Sequence, residues 1–377
     1  MSKTLQDYAT LINDTIQSNE INHYITTDNM RQNLGGIDTL KNINIPQGKV
    51  RSFQKDDVLL SNIRLYFRKV YKAKQKGGCS SDILVFRAKH IDSATLFAIL
   101  SSQIFTDYAC LGSQGSKMPR GNKTHMMDFK IPTINFTIAK IFNSIQNKIE
   151  NNYKINELLH KILELLYEQY FVRFDFLDEN NKPYQTSGGK MKFSKELNRL
   201  IPSEWSVRFL NHKIVSTYQP KTISKTLLND SYSYSVYGGG GIIGRFTEYN
   251  HEQSEFIISC RGQCGISYLT LPKSWITGNA MVIRPTKSYT SKTYLYHTIK
   301  KYKLTNYITG SVQPQITRQN LSTMPILIPK RKTLNKWNNI SSLLWNLIHN
   351  NMQSTQTLTA LRDFLLPLLL KQQVKPQ

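Results

Sequence analysis

Ile138, Ile141, Ile145, Lys148, Asn152, Ile155, Leu159, Ile162 and Leu166 follow one another at alternating steps of three and four residues. The same rhythm returns in Trp337, Ile340, Leu344, Leu347, Asn351, Ser354, Leu358, Leu361, Leu365 and Leu368. Steps of that kind place one narrow seam on each of two long helices, as a coiled coil requires. The two copies start 199 residues apart, and Asn152 and Asn351 fall at the same step. An asparagine buried in a seam costs stability but needs a suitably placed partner, so it fixes register. Two ordinary amphipathic core helices would carry a similar stripe, but here each helix follows a mixed segment of similar layout. The chain therefore reads as two halves, each a globular domain followed by a long helix, with helices able to pack on one another.

The 377 residues suffice for about two or three domains with good cores. Lys and Arg outnumber Asp and Glu by 49 to 25, a net charge of +24. A charge that large points to a polyanion, nucleic acid first. A membrane surface fits less well, because the longest apolar cluster, Phe364 to Leu370, is short and interrupted by Pro367. The first ten residues are polar, so no signal peptide is expected, and a cytoplasmic, prokaryotic setting is. Cys260 and Cys264 have no second pair and no histidine pair at ligand spacing, so no metal is expected and all four cysteines read as reduced thiols.

Along the chain, residues 3 to about 20 read as a short helix, His23 to Met30 as a strand entering a turn, and Asp57 to Arg64 as a strand. Six cations and no acid fill the stretch from Arg64 to Lys76: Arg64, Arg68, Lys69, Lys72, Lys74 and Lys76, with Tyr66, Phe67 and Tyr71 between them. Lys72, Lys74 and Lys76 alternate, so a strand would place them on one face. A charge run is often only a solvated face, yet the missing acids and interleaved aromatics favour phosphate contact. Gly77 to Arg87 reads as a turn and a buried strand, Ser93 to about Tyr108 as a helix, and Gly115 to Asn122 as a loop carrying Lys117 and Arg120. The second half repeats this frame: Ile276 to Arg284 matches Cys79 to Arg87 at an offset of 197, and Gly310 to Pro314 matches Gly115 to Pro119 at 195. Ile328-Pro329 matches Ile131-Pro132, again at 197. Little else is shared, as expected of one scaffold with two recognition faces.

Catalytic motifs are missing. The glycine run Gly238 to Gly241, with Gly244, lacks the Lys-Ser/Thr of a phosphate loop and reads as a tight turn. Asn181-Lys182-Pro183-Tyr184 also reads as a turn, and no hydrolase elbow or metalloprotease helix is present.

An ordered set of short motifs runs through both halves. It comprises Tyr24 to Met30, Leu59 to Arg64, Gly77 to Asp82, Lys117-Met118-Pro119-Arg120-Gly121, Tyr170 to Phe176, Ser187 to Met191, Ile201 to Trp205 and Gly310 to Ile316. In this order the chain resembles, over nearly its whole length, the specificity subunit of type I restriction–modification systems; little of the family's opening strand is apparent before Tyr24. The resemblance implies an α+β fold: two similar α/β target-recognition domains in tandem, each followed by a long helix, the helices forming an antiparallel coiled coil. The expected layout is 1–135 for the first domain, 136–176 for the central helix, 177–204 for a linker, 205–332 for the second domain and 333–372 for the closing helix. It implies no catalysis by this chain, double-stranded DNA as ligand, two modification (methyltransferase) subunits and restriction subunits as partners, and S-adenosylmethionine held by the modification subunit. The candidates for DNA contact are Arg64, Arg68, Lys72, Lys74, Lys117 and Arg120 in the first half and Arg245, Arg261, Gln313, Gln315 and Arg318 in the second, since Arg pairs bidentately with guanine and Gln with adenine. The 29 residues from Ile138 to Leu166 would span roughly 43 Å as a helix, a little over one turn of DNA at about 34–36 Å. Two alternatives stay open: an architectural DNA binder without sequence preference, and a nuclease or methyltransferase with an unfamiliar site.

Overall fold

The computed structural model describes residues 3–39, 41–131, 133–229, 232–262, 264–311 and 313–370. Pro132, in the expected chain break, Val312, in the stretch matched to the Gly115–Pro119 loop, and residues 371–372, at the expected end of the closing helix, lie outside the described residues. The chain divides into two compact units, Met1–Leu158 with Asn350–Gln377, and Leu159–His349. Each unit thus takes one end of each long helix, unlike the expected layout in which the helices stand apart from the domains.

Both units are built on the same sheet. In the first, antiparallel strands lie in the order Ala9–Ile12, Ile83–Ala88, Val58–Ser61, Val70–Lys72. In the second the order is Val215–Tyr218, Ala280–Pro285, Phe256–Ser259, Ser267–Leu269. The central strands are aliphatic and buried: every residue of Val58–Ser61 and of Phe256–Ser259 is inside. An ion pair is duplicated with the sheet. Arg87 donates from Nε and Nη2 to the two oxygens of Asp57, each at 2.8 Å, and Arg284 donates from the same atoms to Glu255 Oε1 at 3.0 and 2.6 Å. Asp57 is 2% exposed, and besides Arg87 its carboxylate accepts the Gln54 N–H at 2.8 Å, so this buried polar group is fully partnered.

The second sheet differs between units. Thr15–Gln17, Lys49–Phe53, Gly77–Cys79 and Tyr24–Ile25 make four strands in the first, whereas Gly241–Phe246, Tyr234–Gly238 and Trp275–Ile276 make three in the second. Both keep one parallel pairing, Tyr24 with Gly78 and Val236 with Trp275. The glycine run turns the Tyr234–Phe246 hairpin, with Gly241 at φ +103°. It is a turn.

Three local expectations need correction. Residues 3–20 form a helix only over Leu5–Tyr8; Ala9–Ile12 and Thr15–Gln17 are strands, as their β-branched Thr10, Ile12, Thr15 and Ile16 favour. The first unit therefore has its opening strand, ahead of Tyr24. The helix expected over 93–108 is two, Ser93–Leu100 and Gln103–Leu111, because the Ser102 hydroxyl accepts the Phe105 N–H and starts a second helix. The 177–204 linker contains a hairpin, Met191–Ser194 with Arg199–Pro202. No single helix among the described residues is long and apolar enough to cross a membrane.

The long helices are Phe136–Tyr167, continued by a π-helical turn Glu168–Val172, and Arg331–Leu369. They are antiparallel. In the first unit the Asn152 amide donates to Thr355 Oγ1 and the Asn351 amide to Asn156 Oδ1, both at 3.0 Å, and the Asn135 N–H donates to the Leu369 carbonyl at 3.0 Å. In the second, the rings of His160 and Trp345 lie 5.1 Å apart and those of Tyr167 and Trp337 5.9 Å apart.

The buried face is not the aliphatic seam of the sequence. Ile145 and Asn152 are buried and Leu159, Leu344, Asn351 and Leu358 half-buried, but Ile155, Ile162 and Leu361 are 43–45% exposed. Trp337, which opens the second seam, is buried, but beyond it burial follows the adjacent stripe: Ala139, Phe142, Gln146, Ile149 and Leu163 on one helix, and Ser341, Trp345, Ile348, Thr355, Arg362 and Leu366 on the other. Polar members of that stripe hydrogen-bond to groups distant in sequence, which hydrophobic spacing does not register.

In the second unit the stripe meets an aromatic core. His297 stacks on Tyr167 at 5.6 Å and meets Trp337 edge-on at 5.4 Å, and its Nε2 is buried without a hydrogen-bond partner. Burial, with Lys300 nearby, pushes its imidazole down to about 3; burial takes His349 to about 4 and lowers His160. These depressed values mean that the unfolded chain binds protons first. Stability is full above about pH 6.5, the ordinary histidine value, and falls as pH drops towards 4. His297→Phe keeps the ring and removes the proton site. Thermal unfolding between pH 7.5 and 4.5 is expected to show a shallower decline for this variant than for the wild type; equal slopes would contradict it.

Candidate nucleic-acid interface

In the first unit, strand Val58–Ser61 leads into a turn that meets the Gly115–Gly121 loop. The Arg64 N–H donates to the Pro119 carbonyl at 2.9 Å, and the Gly121 N–H to the Asn62 carbonyl at 3.0 Å. Arg120 and Gln114 exchange backbone hydrogen bonds of 2.8 and 2.9 Å, closing the loop. The Asn122 side chain then accepts the His125 N–H and starts the Lys123–Met127 helix. Gly121 lets the loop sit close: a Cβ there would lie 2.1 Å from Met126 Cε and 2.9 Å from Leu65 Cδ1 and would have to displace both side-chain ends. Arg64, Lys117 and Arg120 are thereby brought together. Lys117 is exposed, and Arg120 is 62% exposed while pairing with Asp82 at 2.9 Å.

The other first-half candidates are occupied elsewhere. Arg68 donates from Nη2 to the Ser101 carbonyl at 2.8 Å, and burial lowers its pKa. Lys72 pairs with Asp56 at 3.7 Å and is 13% exposed; Lys74 pairs with Glu150 at 3.3 Å and bonds Asn147. The strand ends at Lys72, so Lys72, Lys74 and Lys76 do not form the expected row. The acids missing from the basic run are supplied by Asp56 and by the central helix.

The second unit repeats the framework. The Ile316 N–H donates to the Cys260 carbonyl at 3.1 Å, in the place of Gly121 and Asn62, and Arg261 bridges Gln315. Thr317 caps the Arg318–Leu321 helix as Asn122 caps its counterpart. Arg261, Gln313, Gln315 and Arg318 are all exposed on this corner. Arg245 is apart from them, on the hairpin, with its guanidinium bonded to the carbonyls of Tyr232 and Ser233. Tyr66 and Met118, 54% and 47% exposed beside the first cluster, are not among the sequence candidates, since in the sequence the aromatics stand only as spacers between cations.

The sequence model of the family described as "Type I restriction modification DNA specificity domain" matches residues 202–361. The specificity subunit of the type I restriction enzyme MjaIX from Methanocaldococcus jannaschii is 21% identical over 315 residues, which are 74% of this chain and 68% of that relative. Residues 202–361 carry the specificity domain of type I restriction–modification systems, and the chain as a whole is similar to their specificity subunits. The fold agrees: the crystal structure of a type I system S subunit from M. genitalium superposes with a TM-score of 0.63, covering 99% of this chain and 96% of that one at 15% identity. Specificity subunits are the non-catalytic, DNA-recognising components of type I systems, and the first unit of this chain, outside the matched residues, carries the same strand order and the same loop-pinning bonds as the second.

Proposed function

We propose that this specificity subunit reads a DNA target in two halves, one per unit, and directs adenine methylation and restriction by partner subunits. The observation that carries this is duplication with divergence. Two loop corners are pinned by equivalent backbone bonds, yet one presents Arg64, Lys117 and Arg120 and the other Arg261, Gln313, Gln315 and Arg318. A scaffold for unspecific binding has no use for divergent faces. Cations near phosphates set register, and Arg and Gln read guanine and adenine edges in the major groove. Methyl transfer takes a flipped adenine into a pocket of the modification subunit, where S-adenosylmethionine binds. Two modification subunits and restriction subunits complete the complex. The aliphatic stripe left exposed on the long helices is suited to docking them: Ile141, Ile155 and Leu361 in the first unit, Ile162, Leu343 and Leu347 in the second.

Competition binding of the assembled subunit–methyltransferase complex, with a specific duplex against random DNA, tests the reading. Preference for one duplex supports it; equal affinity at +24 charge leaves an architectural binder. Arg120→Ala and Arg318→Ala are each expected to lower specific affinity by roughly tenfold and to relax the requirement at a base in one half-site only. Lys117→Ala is expected to weaken all sequences alike and to lower the salt slope by about one. Uniform loss for Arg120→Ala as well would place Arg120 on a phosphate.

A further inference from the structure

The turn between Arg64 and Arg68 is built to hold one exposed ring. Arg64 and Arg68 both take left-handed backbone conformations, φ +49° and +48°, around the 3₁₀ turn Leu65–Phe67. L-residues with side chains seldom adopt that conformation, and such strain persists only where surroundings over-determine it. Here they do. The Asn33 N–H donates to the Phe67 carbonyl at 2.9 Å and the Leu34 N–H to the Arg68 carbonyl at 3.1 Å. Arg64 is tied to Pro119 and the Arg68 side chain to Ser101, while Leu65 is buried as the anchor. What remains outside is Tyr66, 54% exposed, braced edge-on by Phe67 at 4.6 Å.

The setting of that ring selects its ligand. Arg64, Lys117 and Arg120 lie on the two segments joined at this corner, and Met118, 47% exposed, sits between the last two in sequence. A rigid apolar group amid cations fits a nucleic-acid surface at a place where a base edge, not a phosphate, is met. The one apolar group on a base edge in the major groove is the thymine 5-methyl. The equivalent corner of the second unit, residues 260–266, contains no aromatic residue.

We infer that Tyr66, with Met118, is a specificity determinant that packs on a thymine methyl group in one half-site only. The inference rests on the reading of the chain as a DNA-recognition subunit. Its test uses the complex of this subunit with its modification partner and duplexes carrying its mapped motif, each thymine replaced in turn by deoxyuridine. The wild type is expected to lose about fourfold in affinity at one thymine, the worth of one buried methyl group. Tyr66→Ala is expected to bind thymine and deoxyuridine duplexes equally at that position, and Tyr66→Phe to discriminate as the wild type does. Unchanged discrimination in Tyr66→Ala overturns the inference, as does a wild type that prefers its motif but responds to no deoxyuridine. A complex with no preference for any motif over random DNA fails earlier, at the recognition reading itself.

Discussion

Replacing Arg362 by alanine is expected to destabilise the first unit by about 3–5 kcal/mol, the usual cost of breaking a buried charged network by removing one member. Arg362 is 2% exposed, among the largest fully buried side chains of the molecule. From Nη1 it donates to the Asn33 carbonyl and to Gln146 Oε1, each at 3.2 Å, and Nη2 lies 2.9 Å from Asp363. Gln146 in turn donates to the Leu34 carbonyl at 2.6 Å. Alanine leaves the buried Gln146 amide oxygen without its donor and empties the space of a fully buried guanidinium, a penalty larger than the loss of one surface ion pair. The damage should travel further, because Asn33 and Leu34 hold the carbonyls of Phe67 and Arg68. A fall in unfolding temperature of roughly 10 °C is expected, with relaxed recognition confined to one half-site. Lysine at 362 restores charge but not the planar fork, and should recover only part of the loss. A variant as stable as the wild type would contradict the network's role.

Trp337→Ala is expected to be as costly in the second unit, again about 3–5 kcal/mol. Trp337 is 1% exposed and its ring lies 5.4 Å from both Phe171 and His297, with Tyr167 at 5.9 Å. The cavity left by an indole in a packed aromatic cluster cannot close by small shifts, and the edge-to-face contacts are lost with it. The Nε1–H has no hydrogen-bond partner, so Trp337→Phe sacrifices volume but no polar contact and should cost distinctly less. Denaturant unfolding of both variants checks this order. Equal losses for phenylalanine and alanine would show that the indole's size, not the presence of a ring, carries the packing.

The sequence disclosed what depends on local chemistry and on repetition. Offsets of 195 and 197 paired the strand Ile83–Ala88 with Ala280–Pro285 and one proline loop with the other, and the loop cations Lys117, Arg120, Arg261 and Arg318 do lie on corresponding corners. It misled where distant groups decide. The aliphatic stripe through Ile155, Ile162 and Leu361 obeyed heptad spacing but stands exposed, since the neighbouring stripe is buried, through Gln146, Ser341 and Arg362 against each unit's domain and through Thr355 against the other long helix. Hydroxyl, amide and guanidinium groups look like surface residues until their partners arrive: Thr355 meets Asn152, and Ser341 meets Thr293 at 2.8 Å. The basic run misled for the same reason. Lys74 looked unbalanced because Glu150, its partner, is a helix away. Tyr66 was in view as an aromatic among cations, yet only the left-handed residues on either side reveal that the turn exists to present it.

Two divergent corners on one duplicated scaffold should read two separate half-sites. The most direct measurement is to express this subunit with its methyltransferase partner and map N6-methyladenine across the host genome, for the wild type, Arg120→Ala and Arg318→Ala. A single motif of two short half-sites around a fixed unspecified gap is expected, with each substitution relaxing a different half. A continuous motif, or two substitutions that relax the same half, would contradict it.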